Sequence, residues 1–193
     1  MDSEIIKQLR QITGAGVLDC QEALKESDND LDKAIEFLRK KGQKFANNKG
    51  TRTTNEGVVE AYIHSNNKIG VLLELVCETD FVARNEEFKK LAHDIALHIA
   101  AANPQWKERE DIPAEIVEKE KQIYKETLKN EKKPKEIIEK IAENKLEKFY
   151  STSCLLEQDF VKDDKITIRD LIQTMIAKLG ENIQIKRFVR FSL

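Results

Sequence analysis

The stretch CETDFVARNEEF, residues 77–88, marks a change from strand-like to helix-like sequence. Before it, residues 69–77 form an apolar run of strand length, and after it apolar residues recur at helical spacing from Phe88. Phe81 lies between the two elements, outside the helical stripe that Phe88 begins. Residue type alone favours a core position for Phe81, whereas a loop between strand and helix is a usual place for residues that contact a partner.

The sequence upstream of this stretch predicts a β-hairpin. Apolar and polar residues alternate over 57–64, the sequence SNNK at 65–68 supplies a turn, and residues 69–77 are typical of a strand buried on both faces. A third strand is predicted at 183–191, at the far end of the chain. Because an isolated hairpin is only marginally stable, we expect this strand to join the same sheet.

Helices are predicted between these strands. The first begins after Asn85 and ends at Asn103-Pro104. Two highly charged helices follow within residues 113–150 and should form an antiparallel helical hairpin with its tip near 130–135. A last helix is closed by Gly180.

The chain before the hairpin predicts a separate small module. Residues 1–43 contain three short amphipathic helices, the third of which should end at Gly42. Residues 44–55 are polar and predict a linker, and residues 56–193 form the main domain. A three-helix bundle this small folds only marginally and suits a docking role.

The turn TGAGVL, residues 13–18, is the unusual feature of that module. Its two glycines, Gly14 and Gly16, bracket a turn that Val17 and Leu18 follow. Two interpretations remain open: the glycines separate two helices whose apolar residues lie in the core, or the turn is an exposed apolar docking site.

Composition narrows the class of protein. Charged residues make up 35% of the chain and nearly cancel, leaving a net charge of -2, so no global attraction to nucleic acid or membrane is indicated. The three cysteines are far apart and match neither a metal site nor a secreted disulfide framework. With no signal peptide and no apolar run of membrane-spanning length, we expect a soluble, cytoplasmic protein.

The sequence contains few of the motifs that accompany catalysis. Neither a phosphate-binding loop nor a dinucleotide fingerprint is present, and His93 and His98 lack the i, i+4 spacing of a helical zinc pair. Cys77, at the end of an apolar strand, is better explained as a buried thiol than as a nucleophile. The sequence therefore argues against an enzyme, and we expect no cofactor and no metal.

One segment keeps a second function class open. From Arg39 to Arg52 the chain carries six basic residues and no acid, which fits either a solvated linker or an arm that contacts phosphate. The alternative function is thus a nucleic-acid or ribosome-associated binding module. The near-neutral total charge and the absence of an aromatic stacking platform count against it.

Four blocks of sequence resemble the bacterial elongation factor Ts family, in the expected order and over essentially the whole chain. They are LRQITGAGVLDCQEAL at 9–24, VCETDFVARNEEFKKLAHDIALHIAA at 76–101, LLEQDFVKDD at 155–164 and LGENIQIKRFVRF at 179–191. The resemblance implies an α+β fold: a three-helix module like a ubiquitin-associated domain, a linker, and a core with a three-stranded antiparallel sheet packed by helices.

The resemblance also implies a function. Members of this family are nucleotide-exchange factors that bind elongation factor Tu with GDP, displace its Mg²⁺ and promote GDP release, without binding nucleotide themselves. Thr79, Asp80, Phe81 and Val82 match the segment that acts on the GTPase. Phe81 would be inserted between helices of the partner, with Asp80 contacting one of them and Thr79 and Val82 framing the loop. The turn from Gly14 to Leu18 would dock the N-terminal module separately.

The chain is shorter than the longer members of that family. Similar short forms are homodimers, so the resemblance implies a homodimer and a 2:2 complex with elongation factor Tu. The stretch 154–161 and the final strand are the surfaces expected to form that dimer. Because none of the three cysteines lies near the C-terminus, we expect no disulfide across it.

Overall fold

The computed structural model describes residues 3–128 and 135–193, and within these ranges it contains eight α-helices and five β-strands. The fold is α+β, as predicted. Of the predicted hairpin tip at 130–135, residues 130–134 lie outside the described part of the chain. The helices are α1 (Ser3–Thr13), α2 (Val17–Glu26), α3 (Leu31–Lys49), α4 (Asp80–Ala83), α5 (Glu86–Ala102), α6 (Ala114–Leu128), α7 (Lys135–Ser153) and α8 (Ile168–Leu179), and the strands are β1 (Glu56–Ile63), β2 (Ile69–Cys77), β3 (Asp159–Phe160), β4 (Asp163–Thr167) and β5 (Ile183–Ser192).

The main sheet has three strands in the order β1-β2-β5. The hairpin between β1 and β2 is closed by the His64 amide, which donates to the Ile69 carbonyl at 2.9 Å. Strand β5 runs antiparallel to β2, since Leu193 N donates to Lys68 O at 3.0 Å while Lys186 Nζ lies 2.6 Å from Glu74 Oε1. The prediction that the C-terminal strand joins the hairpin is therefore confirmed.

The chain divides into two compact units, each built from separate segments. The first comprises Met1–Glu60, Leu73–His93 and Asp170–Lys186, and the second comprises Ala61–Leu72, Asp94–Arg169 and Arg187–Leu193. The division predicted from sequence, at 1–43, 44–55 and 56–193, stays a prediction.

In the first unit, helices α1, α2 and α3 pack around a small apolar cluster. Asp30 caps α3 by accepting a hydrogen bond from Lys33 N at 3.1 Å, which satisfies a backbone donor of the first turn. Gly14 follows α1 with a φ of 68°, a left-handed conformation that glycine adopts without strain. The buried members of the cluster are Leu9, Cys20, Ala23, Leu24, Ala34 and Leu38.

Helix α3 does not end at Gly42, and that prediction is wrong. The helix continues to Lys49 because its last two turns contact α8: Gln43 Nε2 donates to Asp170 Oδ1 at 3.0 Å, and Ala46 is buried. A Cβ on Gly42 would lie 3.4 Å from the Ala177 Cβ, so the glycine lies close against α8 rather than at a helix end. Local sequence contains no sign of this contact, since its two partners are more than a hundred residues apart.

In the second unit, α6 and α7 contact each other as the predicted helical hairpin. Lys145 Nζ lies 5.8 Å from the centre of the Tyr124 ring, one contact between the two helices. A small antiparallel pair of strands, β3 and β4, was not predicted. Its strands are short and largely polar, so they show no alternation that sequence analysis could detect.

His98 is fully buried in the second unit and has hydrogen-bond partners on both ring nitrogens. Val161 N donates to its Nδ1 at 3.3 Å, and its Nε2 lies 2.9 Å from Gln158 Oε1. This arrangement suits a neutral imidazole that carries its proton on Nε2. Burial lowers the pKa of His98, which favours the same uncharged form.

Candidate partner-binding site

The segment that sequence analysis singled out forms a one-turn helix, α4. Thr79 precedes it in an extended conformation and caps it, because its hydroxyl accepts from Val82 N at 3.5 Å. The Thr79 carbonyl also accepts from Ala83 N at 3.2 Å. The change of direction between strand β2 and helix α5 is thus made by an ordered turn of helix.

Phe81 points away from the core. Its side chain is 80% exposed, whereas Phe88, at the start of the next helix, is 0% exposed. Burying a phenylalanine side chain is worth about 1.5–3 kcal/mol, so leaving it in water sacrifices stability. Exposure excludes the core position for Phe81 and leaves a contact role as the alternative.

The other side chains of the segment surround Phe81 with partly accessible groups. Asp80 pairs with Arg84 at 3.0 Å; Arg84 is largely exposed and the Asp80 side chain is 44% exposed, so the carboxylate remains partly accessible. Thr79 and Val82 are half-buried, while Ala83 is buried and anchors the turn. The structure therefore places all four predicted residues, from Thr79 to Val82, in one short element.

The N-terminal end of α4 is held by two residues that follow α8, Glu181 and Asn182. Both donors of Thr79 bond to the Glu181 carboxylate: the amide to Oε2 at 3.0 Å and the hydroxyl to Oε1 at 2.6 Å. In return, Asn182 N donates to Glu78 Oε1 at 2.7 Å. Sequence reasoning missed these contacts; its only signal was that residues 179–191 belonged to a matching block, with no role attached.

Asn182 and Glu78, which form the second of these contacts, are also held by neighbouring residues. Asn182 is buried, and its side-chain nitrogen donates to Arg52 O at 2.8 Å and Gly50 O at 3.4 Å. The backbone hydrogen bond from Asn182 lowers the pKa of Glu78, with a further contribution from Arg52. Glu78 is thus charged at neutral pH, the form in which its carboxylate accepts hydrogen bonds.

The turn between α1 and α2 is apolar and exposed. Leu18 is 80% exposed and Val17 is exposed as well, so neither is a core residue. Gly14 and Gly16 lie beside them, with Gly16 immediately before α2. Ile12, near the end of α1, is also exposed. The structure brings together all four residues predicted for this turn.

The basic segment from Arg39 to Arg52 is largely committed to partners within the chain. Five of its six basic side chains contact an acidic group or a backbone carbonyl, which weakens the case for a phosphate-binding arm. These are Arg39 with Asp170, Lys40 with Glu36, Lys41 with Asp19 and Glu22, Lys49 with the Gly180 carbonyl, and Arg52 with Glu78.

All three cysteines are buried, and Cys77, which lies beside this site, is poorly suited to act as a nucleophile. Cys77 is buried, its thiol donates to Thr79 O at 3.2 Å, and burial raises its pKa to about 11. A thiol with that pKa is protonated at neutral pH and is a poor nucleophile. Among the described residues, no group of three or more histidine, cysteine, aspartate or glutamate side chains is arranged to hold a metal ion.

None of the helices in the described ranges has both the length and the apolarity needed to cross a membrane.

Comparisons with known proteins agree on one family. The model of the family described as Elongation factor TS matches residues 4–193. Elongation factor Ts of Fervidobacterium nodosum is 55% identical over 193 residues, covering 100% of this chain and 98% of the relative. The protein of the same name from Petrotoga mobilis is 59% identical over 190 residues, covering 98% and 96%. That from Carboxydothermus hydrogenoformans is 54% identical over 191 residues, covering 99% and 88%.

Its sequence places the chain among the translation elongation factors, and within them it belongs to the elongation factor Ts family. Membership implies nucleotide exchange on elongation factor Tu during translation elongation.

Proposed function

We propose that this protein binds elongation factor Tu in its GDP form in the cytoplasm, displaces the bound Mg²⁺ and so promotes GDP release, after which GTP binds. The observation that carries the proposal is the exposed Phe81 on α4, an apolar side chain held out of the core by a turn whose base is anchored. It lies within a block of sequence that matches the family.

In this mechanism Phe81 enters a gap between helices of the GTPase. Asp80 contacts one of those helices, and Thr79 and Val82 set the shape of the turn. GDP is held by contacts to its phosphates and by Mg²⁺, which neutralises phosphate charge. A side chain that shifts the ligands of the metal therefore weakens nucleotide binding without contacting the base.

Thermodynamic linkage makes the effect reciprocal. If the factor lowers the affinity of the GTPase for GDP, then GDP lowers the affinity of the GTPase for the factor by the same ratio. The factor therefore binds the nucleotide-free GTPase tightly, and GTP binding expels it. No covalent bond is made or broken, so the protein accelerates dissociation and is not an enzyme in the chemical sense.

The exposed turn from Gly14 to Leu18 provides a second attachment point. Once α4 has engaged the GTPase, a second contact from the same chain forms at a high effective concentration. The turn should thus contribute to affinity, while Phe81 contributes to the rate of nucleotide release.

The test is release of a fluorescent GDP analogue from elongation factor Tu with wild-type protein, Phe81→Ala and Phe45→Ala. Phe45 is a partly exposed aromatic residue of α3 and serves as the matched control. We expect strong acceleration by the wild type and by Phe45→Ala, and a large loss in Phe81→Ala. If the wild type accelerates and Phe81→Ala equals it, Phe81 is not the active group. If saturating wild type has no effect, the proposed function is wrong.

We further propose that the protein is a homodimer that binds two GTPase molecules. Exposed apolar side chains cluster in the second unit at the end of the β1–β2 hairpin, where Ile63 and Phe191 line a groove of about 350 Å³ together with Leu193. Leu72 and Val189 are also exposed in this unit. A second copy of the chain could cover such a surface symmetrically.

The final strand therefore supplies the favoured dimer surface, and the stretch 154–161 supplies little of it. Cys154 and Leu155 are fully buried within the chain, and Val161 is the exposed apolar residue of that stretch. Light scattering after size exclusion tests the proposal with Phe191→Glu, which introduces a charge into the groove, and with Ile123→Glu as a control on the exposed surface of α6. A dimeric wild type and control with a monomeric Phe191→Glu would support it; a monomeric wild type would contradict it.

A further inference from the structure

A helix of four residues needs support from outside itself. Fixing the first turn of a helix orders several backbone dihedrals for a single hydrogen bond, so an isolated turn of this length is unstable in water. Helix α4 spans only Asp80–Ala83, and the apolar side chain of Phe81 adds little packing because it is exposed. The orientation of Phe81 must therefore be set by contacts at the ends of the turn.

The contact at its N-terminal end comes from Glu181. The carboxylate receives both donors of Thr79, one on each oxygen, at 3.0 and 2.6 Å. Hydrogen bonds to a charged acceptor are stronger than neutral ones, and two of them fix orientation as well as distance. Because the Thr79 hydroxyl proton is directed at Glu181, an oxygen lone pair remains for Val82 N, which is the capping contact of α4.

Glu181 is held in place for this task. Gly180, with a φ of 77°, turns the chain out of α8 just before it, and Asn182 follows as the buried residue that bonds to Glu78. The two connections are reciprocal. The Glu181 side chain, just before β5, accepts from the Thr79 amide, and the Glu78 side chain, just after β2, accepts from the Asn182 amide. The α8–β5 turn and the base of α4 are thereby joined twice.

We propose that Glu181 is a positioning residue for nucleotide exchange: it orients Thr79 and so holds α4 with Phe81 in the conformation that engages the GTPase. This inference rests on the proposed function. Glu181 acts through Phe81 and need not touch the partner. Removing the Glu181 carboxylate should let α4 sample other conformations. The turn must then be ordered when the GTPase binds, and that ordering costs free energy.

A purely structural role for Glu181 would have a different signature. If it merely stabilised the fold, its removal would lower activity by the same factor whether or not Phe81 is present. If it acts by orienting Phe81, its removal should have little further effect once Phe81 has been truncated. A double-mutant cycle between the two residues separates these cases.

The experiment measures release of the fluorescent GDP analogue from elongation factor Tu with the full-length chain as wild type, Glu181→Ala, Phe81→Ala and the double variant. Glu60→Ala is the matched control, since it also removes a half-buried carboxylate with a side-chain partner, His93 at 2.9 Å, in the same unit. We expect Glu181→Ala to lower exchange on the order of tenfold, the effect of losing a charge-assisted hydrogen bond. Glu60→Ala should resemble the wild type, and the double variant should equal Phe81→Ala.

Glu181→Gln extends the test to a variant that keeps the side-chain shape and one acceptor oxygen. Its exchange rate should lie between those of the wild type and Glu181→Ala. It replaces Glu181→Ala in the double-mutant cycle if circular dichroism shows that the alanine variant does not fold. The inference is overturned if the Glu181 variants are fully active, or if the loss of Glu181 lowers exchange by the same factor with and without Phe81. In either case the exchange function stands. A wild type without activity overturns both.

Discussion

Arg109 and Glu147 form a two-pronged ion pair at the base of the helical hairpin, with guanidinium-to-carboxylate distances of 2.9 and 2.7 Å. The same guanidinium bonds to Glu157 and lies 4.4 Å from the centre of the Tyr150 ring. Arg109 precedes α6, whereas Glu147 and Tyr150 lie near the end of α7, so one side chain ties the two ends of the hairpin together.

Arg109→Ala should therefore destabilise the second unit. Removing the planar donor leaves two carboxylates without their shared partner, and we expect the free energy of unfolding to fall by about 1–3 kcal/mol. Arg109→Lys is the control, because it keeps the charge and loses the forked geometry; its loss should be smaller but measurable. Urea denaturation checks both variants, and an alanine variant as stable as the wild type would contradict the prediction.

Gly42→Ala should stabilise the protein. The residue lies inside α3, where glycine is less favourable than alanine by about 0.5–1 kcal/mol. The added Cβ would lie 3.4 Å from the Ala177 Cβ, an ordinary contact. Gly14→Ala is the opposite case, because the φ of 68° at that position strains any residue with a Cβ, and its stability should fall by about 1 kcal/mol. Thermal melting of the two variants should show shifts of opposite sign.

His98 should make stability depend on pH. Its pKa is lowered by burial in the folded state, so the unfolded chain binds the proton more tightly. The stability contributed by the neutral ring is present above about pH 6.5, the ordinary histidine value, and is lost as the pH falls below it. His98→Gln should be less stable than the wild type at pH 7.5 and lose less stability between pH 7.5 and 5.5. Denaturation of both proteins at pH 7.5 and at pH 5.5 checks this, and an equal loss of stability in the two would contradict it.

Leu18→Ala should weaken partner binding without changing stability. The side chain is exposed, so truncation removes little packing within the chain, whereas Leu9→Ala empties a fully buried position and should lower stability by about 2–5 kcal/mol. In the exchange assay, Leu18→Ala should raise the concentration for half-maximal effect roughly tenfold and leave the saturating rate unchanged. A lowered saturating rate with unchanged concentration dependence would remove this turn from the proposed docking surface.

Periodicity in the sequence predicted much of the fold. The alternation over 57–64, the apolar run at 69–77 and the final strand all lie where the structure has β1, β2 and β5. Helix α5 ends at Ala102, and the φ of 50° at Asn103, the next residue, confirms the predicted stop. These features depend on neighbours along the chain, which is why a single sequence contains them. The short polar strands β3 and β4 lack such a pattern and were missed.

By itself, the sequence determined the order of the longer helices and of the three strands of the main sheet, and it singled out the residues of the two candidate contact segments. Only the tertiary structure decided that Phe81 and Leu18 are exposed, that α3 runs on to Lys49, and that Glu181 bonds to Thr79. The physical reason is separation along the chain, since Thr79 and Glu181 are 102 residues apart. Local pattern sets a strand or a helix, but the energy of burying one side chain or satisfying one amide depends on residues that meet only after folding.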